Sequence, residues 1–310
     1  MIIDADAHFT PMLAYTGKPE LDIWIKNYLE RKAGMFSDAD NRQLEMLMLG
    51  VDRQLLNPMG PSLGLSYQLD RSIAADVMQT YNDALYNLSL EYDCYDINIW
   101  LCLQDLEASF KELDRFNNRQ FFGVYAAESP NWGFLQELDP LWVRLAQDQI
   151  PFYIHLTKDE DQLLYCVDEP ESVQLLRDRW SDRGWVISVV SFILGGVLDR
   201  NPNLRIVVAE RDINWISKIQ QDMIEITGID PVPYFKQNFW FTTEPESKTF
   251  LANADILGYD RLLFATDWPH DHDIGGSNSR HDVETVNQLA LSNDNFQLLC
   301  KNNYIHLCRT

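Results

Sequence analysis

Asn201-Pro202-Asn203-Leu204-Arg205-Ile206-Val207-Val208-Ala209-Glu210 decides how the rest of the chain is read. A turn signal (Asn-Pro-Asn) leads into a short β-branched apolar run, which stops at a carboxylate. Such a run is too short for a helix and has no polar alternation, so it reads as a strand covered on both faces, as in a parallel sheet.

Working outward, the same sentence of apolar run followed by polar residues recurs. Residues 1–3 open straight into Asp4, Asp6 and His8, as a strand ending at a site would. Residues 51–56 end at Asn57-Pro58, and the runs 96–103, 121–126, 151–156, 239–242 and 262–265 behave alike. Between them lies helical material over 21–49 (including 43–49), 106–116, 141–149, 171–179 and 186–198. The segment 74–92 is a helix by periodicity, with Ala74, Val77, Met78, Tyr81, Leu85 and Leu88 on one face. Eight strands alternating with helices predict an α/β fold of the (β/α)8 TIM-barrel class, of the metallo-dependent hydrolase type, as a single domain over 1–310. No glycine-rich loop follows the first strand, which argues against a dinucleotide-binding fold.

The 310 residues carry a formal charge of −22, which disfavours nucleic acid and anionic membranes as partners and leaves a small-molecule substrate. Five cysteines (Cys94, Cys102, Cys166, Cys300 and Cys308) lack metal-ribbon spacing and read as reduced thiols of a cytoplasmic protein. The N-terminus shows neither a basic region nor a long apolar region, so no signal peptide is expected, and no apolar run is long enough for a membrane span.

A barrel places its chemistry at the C-terminal ends of its strands. The ionisable residues there are Asp6 and His8 after the first strand, His155 after the fifth, Glu210 after the sixth and Asp267 after the eighth. Only six histidines exist, and two occupy such positions. Asp6 and His8 are spaced by two, so both point to one face of an extended segment, the lumen of a barrel. Imidazole nitrogen with carboxylate oxygen suits zinc, iron or manganese. Read singly, Asp6-Ala7-His8 is a polar turn, His155 a hydrogen-bonded core histidine and Glu210 a partner for Arg211. Their conjunction at one barrel mouth points to a metal centre.

Several motifs together resemble a known family. They are Ile3-Asp4-Ala5-Asp6-Ala7-His8, Tyr81-Asn82-Asp83, the stretch 196–210, Trp215, Thr266-Asp267-Trp268-Pro269-His270, and Asn302-Asn303. They resemble the amidohydrolase-related family, in the branch of aminocarboxymuconate-semialdehyde decarboxylase and the resorcylate decarboxylases. The resemblance implies a divalent metal held by Asp6, His8, His155 and Asp267, with Asp267 binding metal, managing a proton, or doing both in turn. Glu210 would be a further ligand or a general base, and His270 would orient Asp267 or meet the substrate. A homodimer is implied by the resemblance alone. Two departures stand out: Asp-x-His replaces the His-x-His of many relatives, and Glu210 stands where the decarboxylases carry a catalytic histidine.

The leading expectation is a metal-dependent hydrolase or decarboxylase acting on a small organic acid or cyclic substrate, with zinc the expected metal. The alternative is a dinuclear iron or manganese oxygenase on the same barrel, with Glu128 and Glu244 as further candidate ligands. The third is a non-catalytic partner subunit. Trp268 adjoins the proposed site as a pocket wall, whereas Trp132, Trp142, Trp215 and Trp240 read as core or an interface. The loops 59–68, 157–166 and 270–281 match no interpretable substrate motif.

Overall fold

The computed structural model describes residues 1–31, 37–58, 71–127, 132–155, 170–181, 183, 185–210, 212–243, 248–269 and 279–308. Eight strands form one parallel sheet in sequence order: β1 Ile3–Phe9, β2 Arg53–Pro58, β3 Tyr95–Trp100, β4 Gly123–Ala127, β5 Phe152–His155, β6 Ile206–Val208, β7 Phe239–Thr243 and β8 Leu262–Phe264. The sheet closes just beyond β8. There Ala7 bridges Trp268 in parallel fashion, and the His8 amide donates to the Trp268 carbonyl at 2.6 Å. The expected (β/α)8 barrel is therefore the observed fold.

Burial is what makes these residues strands. Ile206, Val207 and Val208 are all fully buried, because helices cover one face and barrel packing the other. The lumen is filled by Ile3, Ala5, Leu55, Phe122, Tyr125, Tyr153, Val207, Ala209, Trp240 and Leu263, joined by Tyr304 and Leu307. These last two belong to the short helix Asn303–Leu307, which closes the N-terminal end of the barrel. Tyr304 stacks on Phe122 with ring centroids 4.4 Å apart and donates its hydroxyl to Asp96 near the start of β3. Asn303 donates to the Leu262 carbonyl at the first residue of β8. Among the described residues, Tyr304 and Leu307 thus plug the lower end of the lumen, and the strands' C-terminal ends form its mouth.

Outside the barrel wall, Trp132, Trp142, Phe152 and Phe192 pack edge-to-face or tilted, with neighbouring centroids 5.0 to 6.2 Å apart. Trp132 and Trp142 are thus core residues. Two boundaries differ from the sequence expectation. The material over 21–49 is two helices, Pro19–Arg31 and Ala39–Leu49. The expected helix over 186–198 is also two, Trp185–Leu194 and Val197–Arg200. Gly196 breaks it by adopting the left-handed conformation at φ +69°, which glycine accepts without steric cost. Among the described residues no helix is long and apolar enough to cross a membrane.

Candidate metal centre

The first strand departs most from expectation. It does not end at Ile3 but runs through Asp4, Asp6 and His8 to Phe9, all of them buried. Buried charge in a strand is tolerated only when it is paired and hydrogen-bonded, and each of these groups has such partners. The register against β2 shifts between Asp4 and Ala7, so the strict two-residue alternation is broken there. Ile3 and Ala5 pack in the lumen, whereas Ala7 and Phe9 pack with the outer core. Asp4 therefore faces out of the barrel, while Asp6 and His8 face in.

His8 is met by two carboxylates at the mouth. Its Nε2 contacts Glu210 Oε1 closely and lies 3.1 Å from Asp267 Oδ1. One donor atom from each of His8, Glu210 and Asp267 falls within 4.8 Å of the others, a set able to hold a metal ion. Glu210 and Asp267 lie just past the ends of β6 and β8, and both adopt left-handed backbone, at φ +58° and +50°. Such a conformation costs a non-glycine residue roughly 1–2 kcal/mol. It persists where surrounding contacts hold it, typically at functional sites.

Asp6 supplies much of that hold. Its Oδ2 accepts from the Glu210 amide at 3.1 Å and from Thr242 Oγ1 at 3.2 Å. Its Oδ1 accepts from Asn57 Nδ2 at 2.5 Å, and its carbonyl accepts from the Asp267 amide at 3.1 Å. Asn57 is oriented in turn by Asn98, whose Nδ2 donates to Asn57 Oδ1 at 2.6 Å. Asp6 Oδ1 sits 3.9 Å from His8 Nε2. The structure thus brings His8, Glu210 and Asp267 together and sets Asp6 beside them as the hydrogen-bonded anchor of the two loops. His155 ends β5 opposite Ala127, with its side chain outside the described residues. His270, Glu128 and Glu244 also lie outside the described residues.

The electrostatics fit a cation site. Burial of His8 favours neutral imidazole, but the charges of Glu210 and Asp267 outweigh it and hold the ring's pKa well above its usual 6.5. Burial pushes the Asp6 carboxyl up to about 7; nearby His8 opposes that rise, and Glu210 and Asp267 add to it. In the protein alone, protons supply the positive charge that a metal would otherwise bring. Two carboxylates and one imidazole are a hard, oxygen-rich donor set, suited to a divalent cation.

Several residues around the centre were not singled out from the sequence. Asn57 and Thr242 end strands as the acids do, and a search for all polar strand-end residues would have found them. Thr266, quoted above in the family-like motif, follows the last strand in the same way, whereas Gln54 and Arg42, which also surround Asp4, carry no such signal. Gln54 lies near the start of β2, and Arg42 lies on the helix Ala39–Leu49.

Similar proteins include a gamma-resorcylate decarboxylase from Rhizobium radiobacter, 24% identical over 258 residues that cover 75% of this chain and 77% of the relative. The crystal structure of 2,6-dihydroxybenzoate decarboxylase from Rhizobium superposes with a TM-score of 0.72 at 19% identity, covering 99% of this chain and 98% of the other. A dihydroxybenzoic acid decarboxylase from Polaromonas sp. JS666, solved with bound manganese and the inhibitor 2-nitroresorcinol, gives 0.71 at 18% identity, with 99% and 96% coverage. The family model described as amidohydrolase matches residues 3–303, nearly the whole barrel, and the chain belongs to that family.

Proposed function

We propose that this protein is a metal-dependent lyase that decarboxylates a small aromatic acid at the mouth of the barrel. The observation that carries the reading is the convergence of His8, Glu210 and Asp267 at the C-terminal mouth of the barrel. The relatives named as hydroxybenzoate decarboxylases turn the broader expectation of a hydrolase or decarboxylase towards decarboxylation. His8 Nε2, Glu210 and Asp267 would hold the metal, with His155 as a further candidate. Two carboxylates to one imidazole favour manganese over the zinc first expected, in keeping with the manganese of the Polaromonas relative.

When bound, the metal supplies Lewis acidity that polarises a substrate oxygen. The remaining work falls to side chains. Asp267 carries a proton to the ring carbon that bears the carboxylate. The carbon–carbon bond then breaks, its electron pair stays on the ring, and carbon dioxide leaves. One proton is consumed per turnover. Asp6 holds the Glu210 and Asp267 backbones in register throughout. Trp268, half-buried beside Asp267, packs against Phe9 and under Arg42 on the outer-core side and is assigned no contact with the substrate.

The test is to load the purified chain with Mn2+, incubate it with a panel of hydroxylated benzoates and measure carbon dioxide release. Release that chelation abolishes supports the reading, and no release across the panel from metal-loaded protein overturns it. Glu210 in the donor set favours one other reading, a dinuclear oxygenase. Oxygen uptake in the same experiment, without carbon dioxide, would establish that instead.

A further inference from the structure

Behind the metal centre, on the outer side of the barrel wall, lies a second buried network that the proposed chemistry does not use. Arg42, on the helix Ala39–Leu49, is 1% exposed. Its guanidinium donates from Nε to Gln54 Oε1 at 3.2 Å and from Nη1 to Glu45 and Ser279 at 2.7 and 3.3 Å. Nη2 lies 3.6 Å from Asp4 Oδ2, and the guanidinium carbon sits 4.8 Å from the centre of the Trp268 ring.

Asp4, fully buried, accepts from Gln54 Nε2 at 2.6 Å, from Thr266 N and Oγ1 at 3.1 and 2.7 Å, and from the Asp6 amide at 3.3 Å. The direction of these bonds is informative. A pair that merely stapled the helix to the barrel would spend Asp4 on the helix. Instead, three of its four hydrogen bonds run to the segments bearing Asp6 and Asp267. Thr266 is held by Asp4, and Trp268 is covered by Arg42 and tied to β1 through the His8 amide. Asp267 is bracketed between these two fixed residues, in a left-handed conformation that needs such restraint.

We propose that Arg42, acting through Asp4 and Trp268, is a positioning residue that holds the Asp267 carboxylate at the metal centre. The inference rests on Asp267 being a metal ligand and is independent of the reaction performed. Groups that orient metal ligands from behind typically change metal affinity about 10- to 100-fold when removed.

The test is a titration of the metal-free protein with Mn2+, followed by electron paramagnetic resonance, which counts the free ion and reports the symmetry of the bound one. Arg42→Met is expected to weaken Mn2+ binding about tenfold or more and to alter the bound-ion spectrum. Thr266→Val, which keeps the shape but removes the hydroxyl bond to Asp4, should weaken binding by a smaller factor in the same direction. Met223→Ala, at a buried core position of the helix Ile216–Thr227, serves as the control for loss of stability alone and should leave affinity and spectrum unchanged. Wild-type affinity and spectrum in folded Arg42→Met would overturn the proposal. If Arg42→Met fails to fold, wild-type behaviour of Thr266→Val overturns it. Failure of the wild-type chain to bind Mn2+ would overturn both this inference and the metal-centre assignment, whereas failure of decarboxylation alone leaves the titration unaffected.

Discussion

Lowering the pH from 8 to 6 should expel the metal, and the structure indicates how steeply. His8 Nε2 cannot hold a proton and donate to a metal at once. In the metal-free protein burial favours the neutral ring, but Glu210 and Asp267 prevail and keep it protonated above the usual range. Binding must therefore displace that proton. Asp6, raised to about 7 chiefly by burial, would lose its own proton when a cation binds beside it. Each displaced proton weakens binding about tenfold per pH unit, or about 1.4 kcal/mol. Mn2+ affinity should thus fall about tenfold per unit above pH 7, and approach about a hundredfold per unit below it.

The stability of the metal-free protein should move the other way. Both groups have folded pKa values above their unfolded ones. Their contributions are complete below 3.8 for Asp6 and 6.5 for His8, and are lost as pH rises through the folded values. Metal-free protein should accordingly lose thermal stability from these groups between pH 4 and 8, while metal-loaded protein gains. Calorimetric Mn2+ titrations in buffers of differing ionisation enthalpy count the protons released. Flat affinity from pH 6 to 8 with no proton release would refute the reasoning.

Asp267→Ala should remove turnover and most metal affinity while circular dichroism stays native; full activity would take Asp267 out of the mechanism. Glu210→Gln keeps the side chain's shape but removes one anionic ligand. It should weaken Mn2+ binding, and unchanged metal content with lost turnover would instead mark Glu210 as an acid–base group. Asn57→Ala strips a donor from Asp6 Oδ1 and an acceptor from Asn98. Urea denaturation should show a loss of about 1–3 kcal/mol for each buried group left unsatisfied, and an unchanged midpoint would show the network to be energetically idle.

The barrel was legible because buried parallel strands are nearly continuous apolar runs: 204–209 and 262–265 stand out even alone. β1 was the exception. Its Asp4, Asp6 and His8 look like the end of a strand, and only the three-dimensional partners of those groups let the strand continue. Strand-end acids were found by rule, which located Glu210 and Asp267. Their left-handed backbone was not visible, since it is imposed by bonds from Asp6 more than 200 residues distant in the chain. The role of Asp6 as anchor was hidden for the same reason: a period of two predicts the face a side chain occupies, not the partner it finds there. Arg42 gave no signal at all. A cation among the polar residues that open a helix reads as solvated, and its burial depends on Asp4, Trp268 and Ser279 meeting it from three separate segments.

The most direct test of the central claim is anomalous diffraction from crystals of the chain loaded with Mn2+. A single strong peak within bonding distance of His8 Nε2, Glu210 and Asp267 is the predicted result. Well-ordered side chains at those positions with no anomalous density between them, or a peak held by other residues, would contradict it.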